Sequence, residues 1–182
     1  MDVIREYDPH NTKSYSLDEA YLDIGPYLVL FIRHKTYTHE QIRDALHLEG
    51  NFDEDPLRFL ETQSSSACLA AVDQVVFRLR QHVQKATGGL SCSAGVGRTH
   101  TIAKIASDKN KPNGQFVVDP ASTLDFVRSL PVRKIPGIGR VTEKLLQQVC
   151  NIQTGHDLYE KRGMLRFLFQ PSTAELDRKS TR

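Results

Sequence analysis

Cysteine is scarce in this chain of 182 residues, and its spacing excludes the sites that cysteine usually builds. Cys68, Cys92 and Cys150 are too far apart for a C-x-x-C metal site, and three is an odd number for a set of disulfides. We therefore expect buried or free thiols in a protein of a reducing compartment.

Long apolar runs are lacking as well. The run at residues 27–32 falls far short of the roughly 18–20 residues that a membrane-spanning helix needs. The first residues show no basic stretch followed by an apolar one, so no secretory signal is visible. A hydrophobic fraction of 39% fits a globular chain of one domain or two small ones, and we expect no membrane partner.

A net charge of +2 conceals two halves of opposite sign. Residues 1–97 carry 9 basic and 14 acidic side chains, a net charge of −5, whereas residues 98–182 carry 15 and 8, a net charge of +7. This asymmetry is typical of a metal site beside a surface that binds a polyanion. Ordinary fluctuation in composition explains it equally well.

Two adjacent acidic residues lie in the most informative stretch, Ser-Leu-Asp-Glu-Ala-Tyr-Leu-Asp-Ile at residues 16–24. Short β-like runs at 15–17 and 20–24 predict a hairpin with Asp18 and Glu19 at its tip. Both carboxylates can reach one ion only where the backbone turns, because neighbouring side chains of a strand point to opposite faces. Two hard oxygen ligands suit Mg²⁺, and Mg²⁺ suits nucleotidyl transfer. The alternative is a solvated tip with two surface acids.

A second stretch, Ser-Asp-Lys-Asn-Lys-Pro-Asn-Gly-Gln, occupies residues 107–115, between a predicted helix at 98–108 and a predicted strand at 115–118. Asn-Gly is an ordinary turn signal, but it does not explain the two lysines. The glycines at 95–100 fit neither G-x-G-x-x-G nor G-x-x-x-x-G-K-[ST], so we expect no nucleotide-binding loop there.

A third stretch, Leu-Pro-Val-Arg-Lys-Ile-Pro-Gly-Ile-Gly at residues 130–139, predicts a helix-hairpin-helix whose second helix covers 141–149. A further helix is predicted over 156–169. Glycines let backbone N–H groups approach a phosphate, and the second helix directs its N-terminus at the same anion. Flanking positive charge comes from Arg133, Lys134, Arg140 and Lys144. The alternative is a plain glycine turn between two helices.

These three stretches, in this order, resemble the Y-family (translesion) DNA polymerases. Their sequences are most similar to those of the kappa branch, a relative of bacterial polymerase IV. The resemblance covers roughly residues 3–169 and implies an α+β fold. Residues 1–118 would form a partial palm, an antiparallel or mixed sheet backed by helices, with an insertion at about 25–65. Residues 119–169 would form a small all-helical thumb with the helix-hairpin-helix. We expect disorder in the polar tail at 170–182.

The resemblance also implies error-prone DNA synthesis past lesions by two-metal nucleotidyl transfer on Mg²⁺. Asp18 would ligate both ions and Glu19 the ion at the primer end, while Lys111 would contact the triphosphate of the incoming dNTP. Asp23 is interpreted as structural. Primer–template DNA would be bound by the third stretch, through Lys134, Gly137, Ile138, Gly139, Arg140 and Lys144.

Family members also carry an earlier palm aspartate and a fingers domain, which would precede position 1, so we expect little activity from this chain alone. The alternative function is a non-catalytic module that binds DNA backbone through the helix-hairpin-helix. A scaffold without a nucleic-acid role would require all three motifs to be accidental. The family implies the nucleus as location, with the mitochondrion as an alternative, and other replication or repair proteins as partners.

Overall fold

The computed structural model describes residues 2–48, 56–62 and 65–168. The helices are α1 Asp2–Arg5, α2 Gly25–Arg33, α3 His39–Leu48, α4 Pro56–Thr62, α5 Ser65–Ala86, α6 His100–Ser107, α7 Thr123–Ser129, α8 Arg140–Cys150, α9 Gly155–Glu160 and α10 Arg162–Leu168. The strands are β1 Lys13–Ser14, β2 Ala20–Tyr21, β3 Ala94–Val96 and β4 Gln115–Val117. Within this part of the chain, no helix is both long and apolar enough to cross a membrane.

Among the described residues, the strands form two small sheets and most of the rest is helical, which confirms the predicted α+β class. Strands β1 and β2 pair antiparallel, and β3 pairs with β4. The chain divides into two compact units, Met1–Ser93 with Pro112–Gln115 and Ala94–Lys111 with Phe116–Arg182. The predicted domain limits at 118 and 169 stay predictions, and the tail at 170–182 lies outside the described residues.

Helix α5 supplies much of the core of the first unit. Its buried residues are Val72, Val75, Val76 and Arg80. The valines follow the three- and four-residue spacing that predicts an amphipathic helix. The helix ends where Gly88 and Gly89 take positive φ values of 71° and 120°, a conformation that glycine adopts without steric cost.

Part of the predicted insertion is helical, because α2, α3 and α4 lie within it. Thr38 and Gln41 form a reciprocal cap at the start of α3, since each backbone N–H donates to the other side chain, at 3.3 Å from Gln41 and 2.9 Å from Thr38. This pair is a capping box, which satisfies two N–H groups that the helix itself leaves without partners.

In the second unit, α6 packs closely against β3 because Gly95 has no side chain. A Cβ at Gly95 would overlap the Ala103 carbonyl and the Ser107 amide of α6. Thr99 caps the helix by accepting a hydrogen bond from the Ile102 N–H. The glycine therefore serves strand–helix packing.

The single helix predicted over 156–169 is wrong, because α9 and α10 are separate helices that break at Lys161. Lys161 Nζ donates to the carbonyl oxygens of Cys150 and Asn151, both at 2.8 Å, at the end of α8. Helices α8, α9 and α10 contribute to one hydrophobic core cluster of this unit, which consists of Val132, Ile135, Ile138, Leu146, Cys150, Ile152, Leu158 and Leu165.

Candidate metal and nucleic-acid-binding sites

A β-hairpin positions the two candidate metal ligands, Asp18 and Glu19. Ser14 of β1 pairs with Ala20 of β2, so residues 15–19 form the connecting loop. The predicted hairpin is confirmed, although its first arm lies nearer to the N-terminus than the sequence indicates. Both carboxylates belong to the loop, where the backbone leaves the alternation of a regular strand.

Serine hydroxyl groups hold this loop in shape. Ser14 Oγ donates to the carbonyl oxygens of Ser16, at 2.7 Å, and Glu19, at 3.1 Å. Ser16 Oγ donates to Asp18 Oδ1 at 2.8 Å. Asp18 is exposed and Glu19 is half-buried. The loop therefore presents an exposed carboxylate whose orientation is fixed by a neighbouring hydroxyl group.

Asp8 fixes the base of the hairpin, and its role was not evident from the sequence. The residue is only 3% exposed. Its carboxylate accepts hydrogen bonds from the backbone N–H groups of His10 at 3.3 Å, Asn11 at 2.8 Å and Asp23 at 2.8 Å. These donors compensate the burial of the carboxylate and join the segment before β1 to the segment after β2. Asp23 in turn accepts from the Gly25 N–H, at 2.9 Å, where α2 begins.

The hairpin tip offers two carboxylates to a metal ion. Within residues 2–48, 56–62 and 65–168, neither Asp18 nor Glu19 belongs to a cluster of three or more potential His, Cys, Asp or Glu ligands. This donor set fits Mg²⁺, which is usually held by one or two carboxylates and completes its octahedral shell with water and substrate phosphates.

In the second unit, Asp108 forms ion pairs with two lysines that the sequence assigns to anion binding. Lys111 Nζ lies 2.7 Å from Asp108 Oδ1, and Lys134 Nζ lies 3.9 Å from Oδ2. The hydrogen bond from Lys111, assisted by the charges of nearby lysines, holds the pKa of Asp108 below its ordinary value although partial burial opposes this. All three side chains are exposed, so these pairs are weak and a phosphate can displace the carboxylate.

Arg80 is a buried cation that sequence reasoning missed. It is 6% exposed, and its guanidinium donates to the backbone carbonyls of Cys92 and Asn113 and to the side-chain oxygens of Asn113 and Gln115. It thereby holds the turn at Asn113, whose φ is +47°. A signal was available, because Arg80 lies one helical turn after Val76 on the apolar stripe of α5, where a cation needs acceptors.

The predicted helix-hairpin-helix is present, as a 3₁₀ turn at Val132–Lys134 followed by a loop and α8. Gly137 has a φ of +95°, which side chains rarely adopt. Gly139 precedes α8 with φ −83° and ψ 175°, and no heavy atom lies within 4 Å of the position of its Cβ. Both glycines are exposed, as are Arg140 and Lys144 of α8. Such a turn lets a phosphate approach the backbone at a helix N-terminus.

Ile138 and Arg133 hold this turn in shape, the first from the core and the second from the surface. The Ile138 side chain is 3% exposed, and its N–H donates to the Ile135 carbonyl at 3.1 Å. Arg133 Nη1 donates to the Ile138 carbonyl at 2.6 Å, and its Nε lies 3.6 Å from Glu143 Oε2. Both residues therefore shape the turn, whereas the exposed glycines and basic side chains form its outer surface.

Comparisons with known proteins match both sites. The model of the impB/mucB/samB family matches residues 1–108, and the model of the IMS family HHH motif matches residues 120–149. DNA polymerase kappa of Arabidopsis thaliana is 38% identical over 175 residues, which are 95% of this chain and 20% of the relative. DNA polymerase IV of Pseudoalteromonas translucida is 43% identical over 104 residues, 57% of this chain and 29% of the relative.

Solved structures share the fold. DinB from Sulfolobus solfataricus is 24% identical and superposes with a TM-score of 0.64. The superposition covers 100% of this chain and 43% of the DinB chain. The chain therefore spans less than half of that structure, and a fifth to under a third of the length of the two curated relatives named above.

Proposed function

The chain belongs to the impB/mucB/samB family of Y-family DNA polymerases, and we propose that it supplies part of the palm and thumb of a translesion DNA polymerase. The observation that carries the proposal is the hairpin loop with Asp18 and Glu19 at consecutive positions, inside the residues that the family model matches. The reaction would be error-prone, DNA-directed DNA synthesis past lesions, with primer–template DNA and dNTP as substrates.

In this proposal Asp18 and Glu19 hold Mg²⁺ at the hairpin tip. When bound, Mg²⁺ would activate the primer 3′-hydroxyl group and neutralise negative charge on the triphosphate. The chain's own contribution is orientation, because Ser16 fixes one Asp18 oxygen and Ser14 fixes the loop backbone. Asp8 keeps the hairpin base in place through its buried hydrogen bonds.

Lys111 would bind the triphosphate of the dNTP as a point charge. It is exposed and paired with Asp108, so binding replaces one anion by another of higher charge. The helix-hairpin-helix would bind duplex DNA through phosphates and without base readout, by the exposed backbone at Gly137 and Gly139 and by Arg140 and Lys144.

A second candidate function is a DNA-backbone-binding module without catalysis. It is favoured by the helix-hairpin-helix, which rests on its own hydrophobic core and lies within the residues that its family model matches. Salt-dependent DNA binding fits both candidates, since each neutralises phosphates. The response of nucleotide binding to Mg²⁺ distinguishes them.

The deciding experiment measures the affinity of the purified chain for a fluorescent dNTP with and without Mg²⁺. We expect Mg²⁺ to tighten binding, and we expect Asp18→Asn and Glu19→Gln to abolish that response. The matched control is Asp23→Asn, which removes a carboxylate near the hairpin but keeps the oxygen that accepts from Gly25. Equal affinity with and without Mg²⁺, together with intact DNA binding, would favour the non-catalytic module.

Primer extension is a second test, with the same variants. If the wild-type chain extends a primer and Asp18→Asn does not, the chain carries out catalysis on its own, contrary to the expectation from the sequence.

We further propose a nuclear location, with the mitochondrion as the alternative and with other replication or repair proteins as partners. Imaging of a fluorescent fusion and cross-linking in cells test these points.

A further inference from the structure

Glu6, His39 and His82 bring three potential metal ligands together in the first unit, and no motif of the sequence draws attention to them. Among the described residues they are the one group of three or more His, Cys, Asp or Glu side chains whose ligand atoms all lie within 4.8 Å of one another. Glu6 follows α1, His39 begins α3, and His82 belongs to α5. We propose that this cluster binds Zn²⁺ and thereby links the three segments.

The donor set indicates the class of metal. Two imidazoles and one carboxylate form a combination that binds Zn²⁺ in proteins, with water as the fourth ligand. Imidazole favours zinc and other late transition metals, whereas Mg²⁺ and Ca²⁺ prefer oxygen ligands. The cluster therefore differs in metal preference from the hairpin tip, where Asp18 and Glu19 supply oxygen alone.

The spacing of the ligand atoms is close to what zinc requires. His39 Nε2 lies 3.0 Å from Glu6 Oε2. Bonds of about 2.0–2.2 Å in a tetrahedral site place ligand atoms roughly 3.3–3.6 Å apart. Because all three ligand atoms lie within 4.8 Å of one another, side-chain movements of about 1 Å complete the site on that geometry.

The other nitrogen of His39 has the partner that a metal ligand needs. His39 Nδ1 lies 2.9 Å from the hydroxyl oxygen of Tyr27. Metal-binding histidines usually use their second nitrogen in this way, which fixes the tautomer and the ring orientation. Tyr27 is 1% exposed, so its hydroxyl group is held in place beside His39. The ring of Tyr7 stacks on His39 at 4.6 Å between centroids and restricts it further.

A simple ion pair between Glu6 and His39 explains two of the three side chains, but it does not explain His82. The His82 ring meets His39 edge-on, with 5.2 Å between centroids, and also contacts Tyr7. The position of a His82 ring nitrogen beside the ligand atoms of Glu6 and His39 is what a shared metal ion requires, because all three ligand atoms lie within 4.8 Å of one another.

The proposal is tested by titrating the metal-free purified chain with Zn²⁺ in a calorimeter and with Co²⁺ in an absorption spectrometer. We expect one Zn²⁺ per chain, visible Co²⁺ bands of tetrahedral coordination, and no competition from Mg²⁺. His82→Gln and Glu6→Gln should each weaken zinc binding at least tenfold, and Tyr27→Phe by about tenfold. His47→Gln, on the same helix as His39, should leave it unchanged.

Further variants exclude the other sources of zinc binding. Asp18→Asn and the triple change of Cys68, Cys92 and Cys150 to serine should both retain the wild-type zinc affinity. Circular dichroism of the metal-free protein tests whether His82→Gln is folded. If His82→Gln is unfolded, the zinc affinity of Glu6→Gln decides the question, provided that its circular dichroism matches that of the wild type. Unchanged zinc affinity in His82→Gln and Glu6→Gln, or its loss in the cysteine variant, overturns the proposal.

Discussion

The hairpin tip and the helix-hairpin-helix are held in place by opposite means. No residue from position 9 to position 24 is buried, and the loop that carries Asp18 depends on Ser14, Ser16 and the carboxylate of Asp8. The helix-hairpin-helix turn is instead anchored by Ile135 and Ile138, whose side chains are buried in a hydrophobic core. A two-stranded hairpin is marginal by itself, so single polar groups decide its geometry, whereas apolar burial spreads the stability of the other site over many residues.

The largest effect is expected from Asp8→Ala, because it leaves three backbone N–H groups near the hairpin base without their acceptor. We expect a loss of about 3 kcal/mol of unfolding free energy, with loss of the Mg²⁺ response of nucleotide binding. Urea unfolding and dNTP titration measure the two effects. Asp125→Ala, an exposed change on α7, serves as control and should stay within about 0.5 kcal/mol. A similarly small effect of Asp8→Ala would show that the hairpin does not depend on this carboxylate.

The glycines of the helix-hairpin-helix allow a matched pair of changes. Gly137→Ala forces a side chain into a φ of +95° and should cost about 1–2 kcal/mol of unfolding free energy. Gly139→Ala has an ordinary φ and open space, so stability should hold while the methyl group obstructs a phosphate. We expect both variants to bind duplex DNA more weakly, measured by fluorescence anisotropy at matched salt. Wild-type affinity in Gly139→Ala would remove this backbone from the DNA-binding surface.

The features that the sequence predicts depend on residues close together in the chain, whereas those it misses depend on residues far apart. The hairpin, the valine stripe of α5 and the Gly137 turn follow from patterns within a few residues, and all three are present. Asp8 meets the Asp23 amide 15 residues later, and Arg80 meets Asn113 33 residues later. A local pattern cannot identify such partners. Lys161 is similar, because its bonds to the end of α8 split a segment whose apolar spacing predicts one helix.

The second unit also depends on polar groups, among them the capping box of α9. Asp157 accepts hydrogen bonds from the backbone N–H groups of Gln153 and Thr154 and from the Thr154 hydroxyl group, each at 3.0 Å. These bonds, the Gln153 N–H first, hold the pKa of Asp157 below its ordinary value. Its stabilising effect is therefore present above the unfolded-state pKa, about 3.9, and is lost as the pH falls through the lower folded-state pKa.

We accordingly expect Asp157→Ala to cost about 1 kcal/mol of unfolding free energy at pH 7. The difference from the wild type should shrink in acid, once the pH falls through the lowered pKa of Asp157. Urea unfolding at a series of pH values measures this, with Asp125→Ala as the control in the same unit. A difference that stays constant down to the most acidic pH at which the chain folds would assign the effect to packing and not to the carboxylate.

The smallest effect is expected from Asp108→Asn, which tests how much an exposed ion pair contributes to stability and to anion binding. Asp108 competes with phosphate for Lys111 and Lys134, and its exposed ion pairs are worth only about 0.5 kcal/mol. Stability should barely change, while inorganic triphosphate should bind about two- to threefold more tightly at low salt, with the gain fading as salt is added. Most of the gain should be lost in a Lys111→Ala background, where only the longer pair with Lys134 remains. Weaker binding in Asp108→Asn would mean that the carboxylate holds the lysines in their binding positions, which would make this surface depend on single polar contacts as the hairpin does.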